Sequence, residues 1–199
     1  SPSLVRRYYL PILEAMLVAD DPQRAYTLYK TIDPDLIQEE DKPRWWQAVC
    51  QICHRTYRLE EAKKEAERYL AWAEYNQNIK ETGSACTALG EILYTSGNFD
   101  DARSYFERAL KIDEDIYGLN HPKVAIDINS LGNVKRALGD FSGAYKHFDR
   151  AIAIFQTVYG DNHPSAATLT NNLGLLLLDK GDFSEARKHF EKALAIDEN

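Results

Sequence analysis

Apolar residues in the C-terminal half of the chain recur at helical spacing, and short polar breaks interrupt them at fixed places. Ala144, Phe148 and Ala151 follow one another at four and three residues, which lays them along one face of a helix. Upstream, Leu131-Gly132 belongs to a separate helix, where the small Gly132 lets a neighbour approach closely. Between the two stands Gly139-Asp140: the glycine can take the left-handed conformation that closes a helix, and the aspartate can cap the next. The spacing predicts that the second helix runs to about Tyr159 and stops at Gly160. Pro164 then suits the first turn of a following helix, where its missing N–H costs nothing. Each unit is thus an antiparallel helix pair. No pair can bury its apolar face alone, so the pairs must stack.

The pattern has a period of 42. Gly97, Gly139 and Gly181 keep it, as do Phe99, Phe141 and Phe183, then Ala102, Ala144 and Ala186, and Phe106, Phe148 and Phe190. Leu89-Gly90, Leu131-Gly132 and Leu173-Gly174 share the register, and so do Tyr117-Gly118 with Tyr159-Gly160 and His121-Pro122 with His163-Pro164. Towards the N-terminus the signal loosens. Leu59 and Ala62 match Phe99 and Ala102 at a spacing of 40, Trp46 falls at a bulky position, and Ala25 takes the alanine slot. Asp21-Pro22 separates two expected helices, about 4–19 and 23–32, with Pro11 expected to kink the first or delay its start. The expected organisation is one array. Residues 1–40 form a degenerate N-terminal repeat or cap, 41–82 a divergent repeat, and 83–124, 125–166 and 167–199 three strict repeats.

Leu-Gly, then Gly-Asn/Asp-Phe, then Ala-x-x-x-Phe-x-x-Ala resembles the tetratricopeptide repeat (TPR), whose usual period is 34. The 42-residue spacing with a Gly-x-x-His-Pro linker is similar to the variant of kinesin light chains and nephrocystin-like proteins. The resemblance implies an all-α, right-handed solenoid of stacked helix pairs acting as a protein-interaction scaffold. It also implies that the first helix of each pair lines a concave groove, and it assigns the groove positions. Thr87 and Tyr94 fall there in the first strict repeat, Asn129, Asn133 and Arg136 in the second, and Asn171, Asn172 and Leu175 in the third. Peptide-binding members use groove asparagines to grip a peptide backbone, since an amide both donates and accepts hydrogen bonds; Arg136 could pair with an acidic ligand group. The alternative is that the asparagines only solvate the groove or bond neighbouring helices. A chaperone-type carboxylate clamp is not expected, because Thr87 stands where its first lysine would be.

Charge narrows the partner class. The 199 residues carry 24 Lys and Arg against 31 Asp and Glu, a net charge of −7, which argues against tracking nucleic-acid phosphates. The longest apolar stretch, Leu173 to Leu178, is far short of the roughly 20 residues of a membrane span. The absence of an export leader and the three cysteines point to reduced thiols and a cytoplasmic setting.

Cys50-Gln51-Ile52-Cys53-His54 matches a haem-attachment or redox motif, yet Cys50 falls in the small-residue slot of Gly90, Gly132 and Gly174 and Cys53 in a buried position. The paired His121/His163 and His147/His189 recur by repeat periodicity. The first pair is expected to cap or pack the linkers and the second to face outward. Asp113-Glu114-Asp115 is expected to be a solvated face. No catalytic, cofactor or metal site is expected. Two further readings stand beside the peptide receptor: a sensor or assembly array of a multidomain signalling protein contacting a folded partner or itself, and, remotely, chemistry at the Cys50 motif. The sequence is further expected to be a segment of a longer protein, with an uncapped last repeat promoting self-association.

Overall fold

The computed structural model describes residues 4–160 and 163–197 and is all-α, with no strand among those residues. The helices fall into two compact units, 1–98 and 99–199. The first unit holds α1 (Leu10–Val18), α2 (Pro22–Tyr29), α3 (Lys42–Arg55), α4 (Leu59–Tyr75) and α5 (Ile79–Thr95). The second holds α6 (Phe99–Tyr117), α7 (Pro122–Ala137), α8 (Phe141–Tyr159), α9 (Pro164–Asp179) and α10 (Phe183–Asp197). Helices α3, α5, α7 and α9 are first members of repeats; α4, α6, α8 and α10 are second members.

The boundaries have local causes. Asp21, Asn78 and Asp140 cap α2, α5 and α8 by accepting the backbone N–H three residues on. Pro11 lies in the first turn of α1, preceded by a π-helical turn, Val5–Tyr9, in which Leu10 N–H bonds Val5 O. Proline cannot supply the usual i→i−4 bond, so the wider turn absorbs the change. Within a repeat, Gly139 closes α7 at φ +80°. In the first unit Gly97 takes the same place at φ +79°, while the earlier counterparts Asp20 and Tyr57 are both held at φ +56° with a full side chain.

Packing follows the small-residue slots. A Cβ added to Gly132 would stand 2.6 Å from the Phe148 ring, and one on Gly174 would stand 2.7 Å from Phe190. The missing side chain is what lets the two helices of a pair close on each other. Ala144, Phe148, Leu173, Leu176, Leu177 and Ala186 form one core cluster, with Phe141 and Ile152 packed against it. In the first unit an aromatic stack fills this role. Trp45 is buried beside Tyr29 (5.6 Å between rings), while half-buried Trp46 stacks on Tyr69 (5.6 Å) and leans on Trp72 (5.4 Å).

Candidate functional site

Two linkers aim the first helices of the second unit. His121 and His163 are the N-caps of α7 and α9: their Nδ1 atoms accept the backbone N–H of Lys123 (3.2 Å) and Ser165 (3.1 Å). Each ring also lies on the tyrosine that ends the preceding helix, Tyr117 at 4.6 Å and Tyr159 at 4.3 Å between centroids. At both places the histidine caps one helix and packs on the tyrosine that ends the one before, the capping and packing role expected of it.

On α7 and α9 these linkers bring five of the eight expected groove residues into one polar face. The Asn172 side-chain amide donates to Asn129 Oδ1 at 2.8 Å, bridging the two first helices. Arg136 Nε stands 3.5 Å from Asp179 Oδ2. Asn133 is half-buried and Asn171 exposed, and neither side chain hydrogen-bonds among the described residues. Leu175 is half-buried in the place Asn133 holds one repeat earlier. The Asn129–Asn172 bond is the helix-to-helix role that sequence left open, and it still leaves the Asn129 N–H groups and the Asn172 carbonyl oxygen for a ligand. Arg136 Nη1 is buried without a hydrogen-bond partner. The rest of the side chain is partly exposed, at 21%, so its charge is within reach of an acidic or carbonyl group at the face.

The other two expected residues, Thr87 and Tyr94, are half-buried on α5 in the first unit. The Thr87 hydroxyl donates to Gly83 O within its own helix (3.3 Å). Sequence reading missed a further set on α3. Arg44, Gln47, Ala48, Gln51 and Arg55 occupy the same register as the later groove residues. With Glu14, Leu17 and Val18 they line a cleft of about 270 Å³. Both arginines are engaged: Arg44 grips Glu14 through two bonds (3.1 and 2.7 Å), and Arg55 binds Asp20 and Leu17 O. Gln47 donates to Tyr69 OH at 3.2 Å. His54 and Thr95 meet at 2.7 Å in the register of Arg136 and Asp179. The signal that could have found this set was present. Counting back from Tyr57 as a stand-in for Gly97 gives these positions.

The remaining motifs take structural places. Cys50 and Cys53 are 4% and 0% exposed; burial pushes both thiols up, Cys53 to about 12, which suppresses the thiolate that redox or ligand chemistry requires. Among the described residues no three His, Cys, Asp or Glu side chains converge to hold a metal ion, and no helix is long and apolar enough to cross a membrane. Two expectations are corrected. His147 and His189 are half-buried rather than outward-facing; His147 Nδ1 lies 2.9 Å from Gly143 O, and His189 Nδ1 is buried. Asp113 is buried, which raises its carboxyl pKa, and Glu114 pairs with Arg150 at 3.0 Å, so only Asp115 of that run is solvated.

A family model described as tetratricopeptide repeat matches residues 83–144 and 126–199, more than half of the chain. No curated protein matches. Among solved structures, BtubC (BKLC) from P. vanneervenii is 22% identical with a TM-score of 0.75, over 98% of this chain and 80% of its own. A putative kinesin light chain of nearly identical TPR-like repeats from Podosopora anserina is 18% identical with a TM-score of 0.71, over 99% and 96%. A Rap protein complexed with competence and sporulation factor is 16% identical with a TM-score of 0.83, over 95% of this chain and 52% of its own. At these identities the likeness shows the fold.

Proposed function

The chain belongs to the tetratricopeptide-repeat family, and we propose that it is a non-enzymatic receptor whose α7–α9 face captures an extended peptide. The family fold is consistent with a protein-interaction scaffold. The observation that carries the finer reading is the unused hydrogen-bonding capacity of Asn133 and Asn171 on the face that the Asn129–Asn172 bond holds together, which the partly exposed Arg136 side chain shares. Amides grip a peptide backbone whatever its side chains, and the guanidinium selects a carbonyl or carboxylate oxygen. That a Rap protein of the same fold has been solved with competence and sporulation factor supports a partner-binding role for the fold.

The test is a peptide-display selection on the wild-type chain beside Asn129→Ala/Asn133→Ala of equal helicity. Each lost hydrogen bond is worth about 0.5–1.5 kcal/mol, so an enriched motif should bind the double variant roughly ten- to a hundredfold more weakly. If no motif is enriched, or if binding survives the double change, the face is not a peptide site and a folded partner becomes the better reading.

A further inference from the structure

The linker between α6 and α7 departs from its successor in two places. One repeat on, the chain reads Gly160-Asp161-Asn162-His163-Pro164-Ser165; here the same six positions are Gly118-Leu119-Asn120-His121-Pro122-Lys123. Glycine, asparagine, histidine and proline are the shared frame. Leu119 stands where the successor has an aspartate and Lys123 where it has a serine, so the repeat itself asks for neither. Leu119 is 60% exposed. A large apolar side chain left in water, at a place the next repeat fills with an acid, is not there for packing.

Leu119 lines an open cavity of about 500 Å³ together with Tyr117, His121, Pro122, Val158 and Tyr159, a volume within the range of small-molecule sites. Val158 and Tyr159 come from the end of α8 and are 45% and 50% exposed, so two separate segments bring apolar surface to one place. The polar groups there are donors. His121 Nδ1 accepts the Lys123 backbone N–H, which puts the ring proton on Nε2, and that N–H has no acceptor among the described residues. Lys123 Nζ stands 5.2 Å from the centroid of the Tyr117 ring and forms no ion pair among the described residues. Buried Asp113 lies near enough to feel Lys123 and His121 yet pairs with neither. Among the described residues no carboxylate lines the cavity, in a chain whose net charge is −7.

We infer that this cavity is a second binding site, for a small organic acid that carries its carboxylate on an aromatic or branched-aliphatic body. The body covers Leu119, Val158 and Tyr159 and takes their apolar surface out of water. The carboxylate accepts from His121 Nε2–H and faces the Lys123 ammonium, the charge that the exchange of residues adds to this linker. A basic ligand would meet Lys123 and no acid at the wall. A purely apolar one would leave both donors unused. The apolar walls are confined to one linker and one helix end, which suits a small molecule better than a length of peptide. None of these residues is among the groove residues of α7 and α9, so the inference is independent of peptide capture there.

The test is a magnetic resonance titration of phenylacetate into the wild-type chain, read at the methyl signals of Leu119 and Val158 and the ring signals of His121. These should shift together and saturate. Phenylacetamide, the same body without the charge, should bind about fivefold or more weakly. Leu119→Asp/Lys123→Ser installs the residues the chain already carries one repeat later, and should weaken phenylacetate about tenfold or more at unchanged helicity. Asn129→Ala/Asn133→Ala, the variant of the peptide face, should leave phenylacetate binding as it was. No saturable shift on wild type overturns the inference without any variant. Equal binding of the amide, or undiminished binding by Leu119→Asp/Lys123→Ser, overturns it too, since the charge or the exchanged residues would then play no part. So does binding of acetyl-Gly-Gly-Phe where phenylacetate fails, which hands the cavity to the end of a polypeptide chain. Should the double variant lose helicity, Lys123→Gln replaces it and should weaken phenylacetate about fivefold.

Discussion

The second unit sets Gly132 of α7 against the Phe148 ring of α8; in the first unit the same two places, again sixteen residues apart, hold Cys50 and Ala66, both buried. One pairing gives all the volume to the second helix, the other shares it between the two. A similar exchange governs the turn after the first helix, where Gly139 has φ +80° and Tyr57 reaches φ +56° with a full side chain. The groove faces differ as well. On α7 and α9 asparagines leave donors and acceptors open, whereas on α3 Arg44 and Arg55 are tied to acids of the first repeat. The repeat constrains sums and geometries, and individual residues only through them.

The sharpest way to break this comparison is to move one residue of a matched pair without the other. Phe148→Ala should cost about 3–5 kcal/mol in chemical denaturation, from lost burial and the cavity left behind. Gly132→Cys alone should cost about 1–3 kcal/mol by forcing a side chain into the Phe148 ring. Together they rebuild the first unit's pairing, so the double variant should be less destabilised than the two single costs added, with a coupling of about 1 kcal/mol or more. Simple additivity would mean that the pairing is not the unit of packing.

Next in size is the groove. Once a peptide is in hand, Arg136→Ala should weaken it roughly tenfold or more in calorimetric titration, because hydrogen bonds to a charged donor contribute about 1.5–3 kcal/mol. Gln51→Ala on α3 should leave affinity within about twofold. Equal losses would place the peptide on both units.

The turn comparison is smaller. Gly139→Tyr should lower stability by about 1–2 kcal/mol, the cost of a left-handed residue with a Cβ. Tyr57→Gly relieves a similar strain but frees the unfolded chain by about 0.4–1 kcal/mol, so a net gain of only about 0.5 kcal/mol is expected in thermal unfolding.

Smallest is the response to acid. Burial holds the His54 and His189 rings below the ordinary histidine pKa. The unfolded chain therefore takes up these protons first, and stability is lost as pH falls from the ordinary histidine range towards the depressed folded values. The melting midpoint should drop between about pH 7 and pH 5, and less steeply in His54→Gln. An unchanged slope would mean that His54 contributes nothing to it.

Much of this could be read in the chain itself. The repeated Gly-Asp-Phe and His-Pro landmarks gave the caps, the turns and the close approach at Gly132, because each rests on a few neighbouring residues. The α3 groove set stayed hidden because Tyr57 stands at the glycine that would have started the count. Trp45 and Trp46 are adjacent, so spacing alone could not say that the first packs back on Tyr29 and the second forward on Tyr69. Asp113 looked solvated because its neighbours are charged, yet its own helix angle turns it inward. Of the site, the asparagines were visible and their mutual bond was not, since it joins residues 43 apart, one step off the repeat.

The histidine joints also make the molecule its own instrument. The imidazoles of His121 and His163 lie over tyrosine rings at 4.6 and 4.3 Å, nearly parallel at 21° and 19°, so ring currents should carry their protons upfield in a proton magnetic resonance spectrum. Each signal reports one joint, α6 to α7 or α8 to α9, with no label attached. Heating or ligand addition would then show, joint by joint, where order is lost first and where a partner restores it.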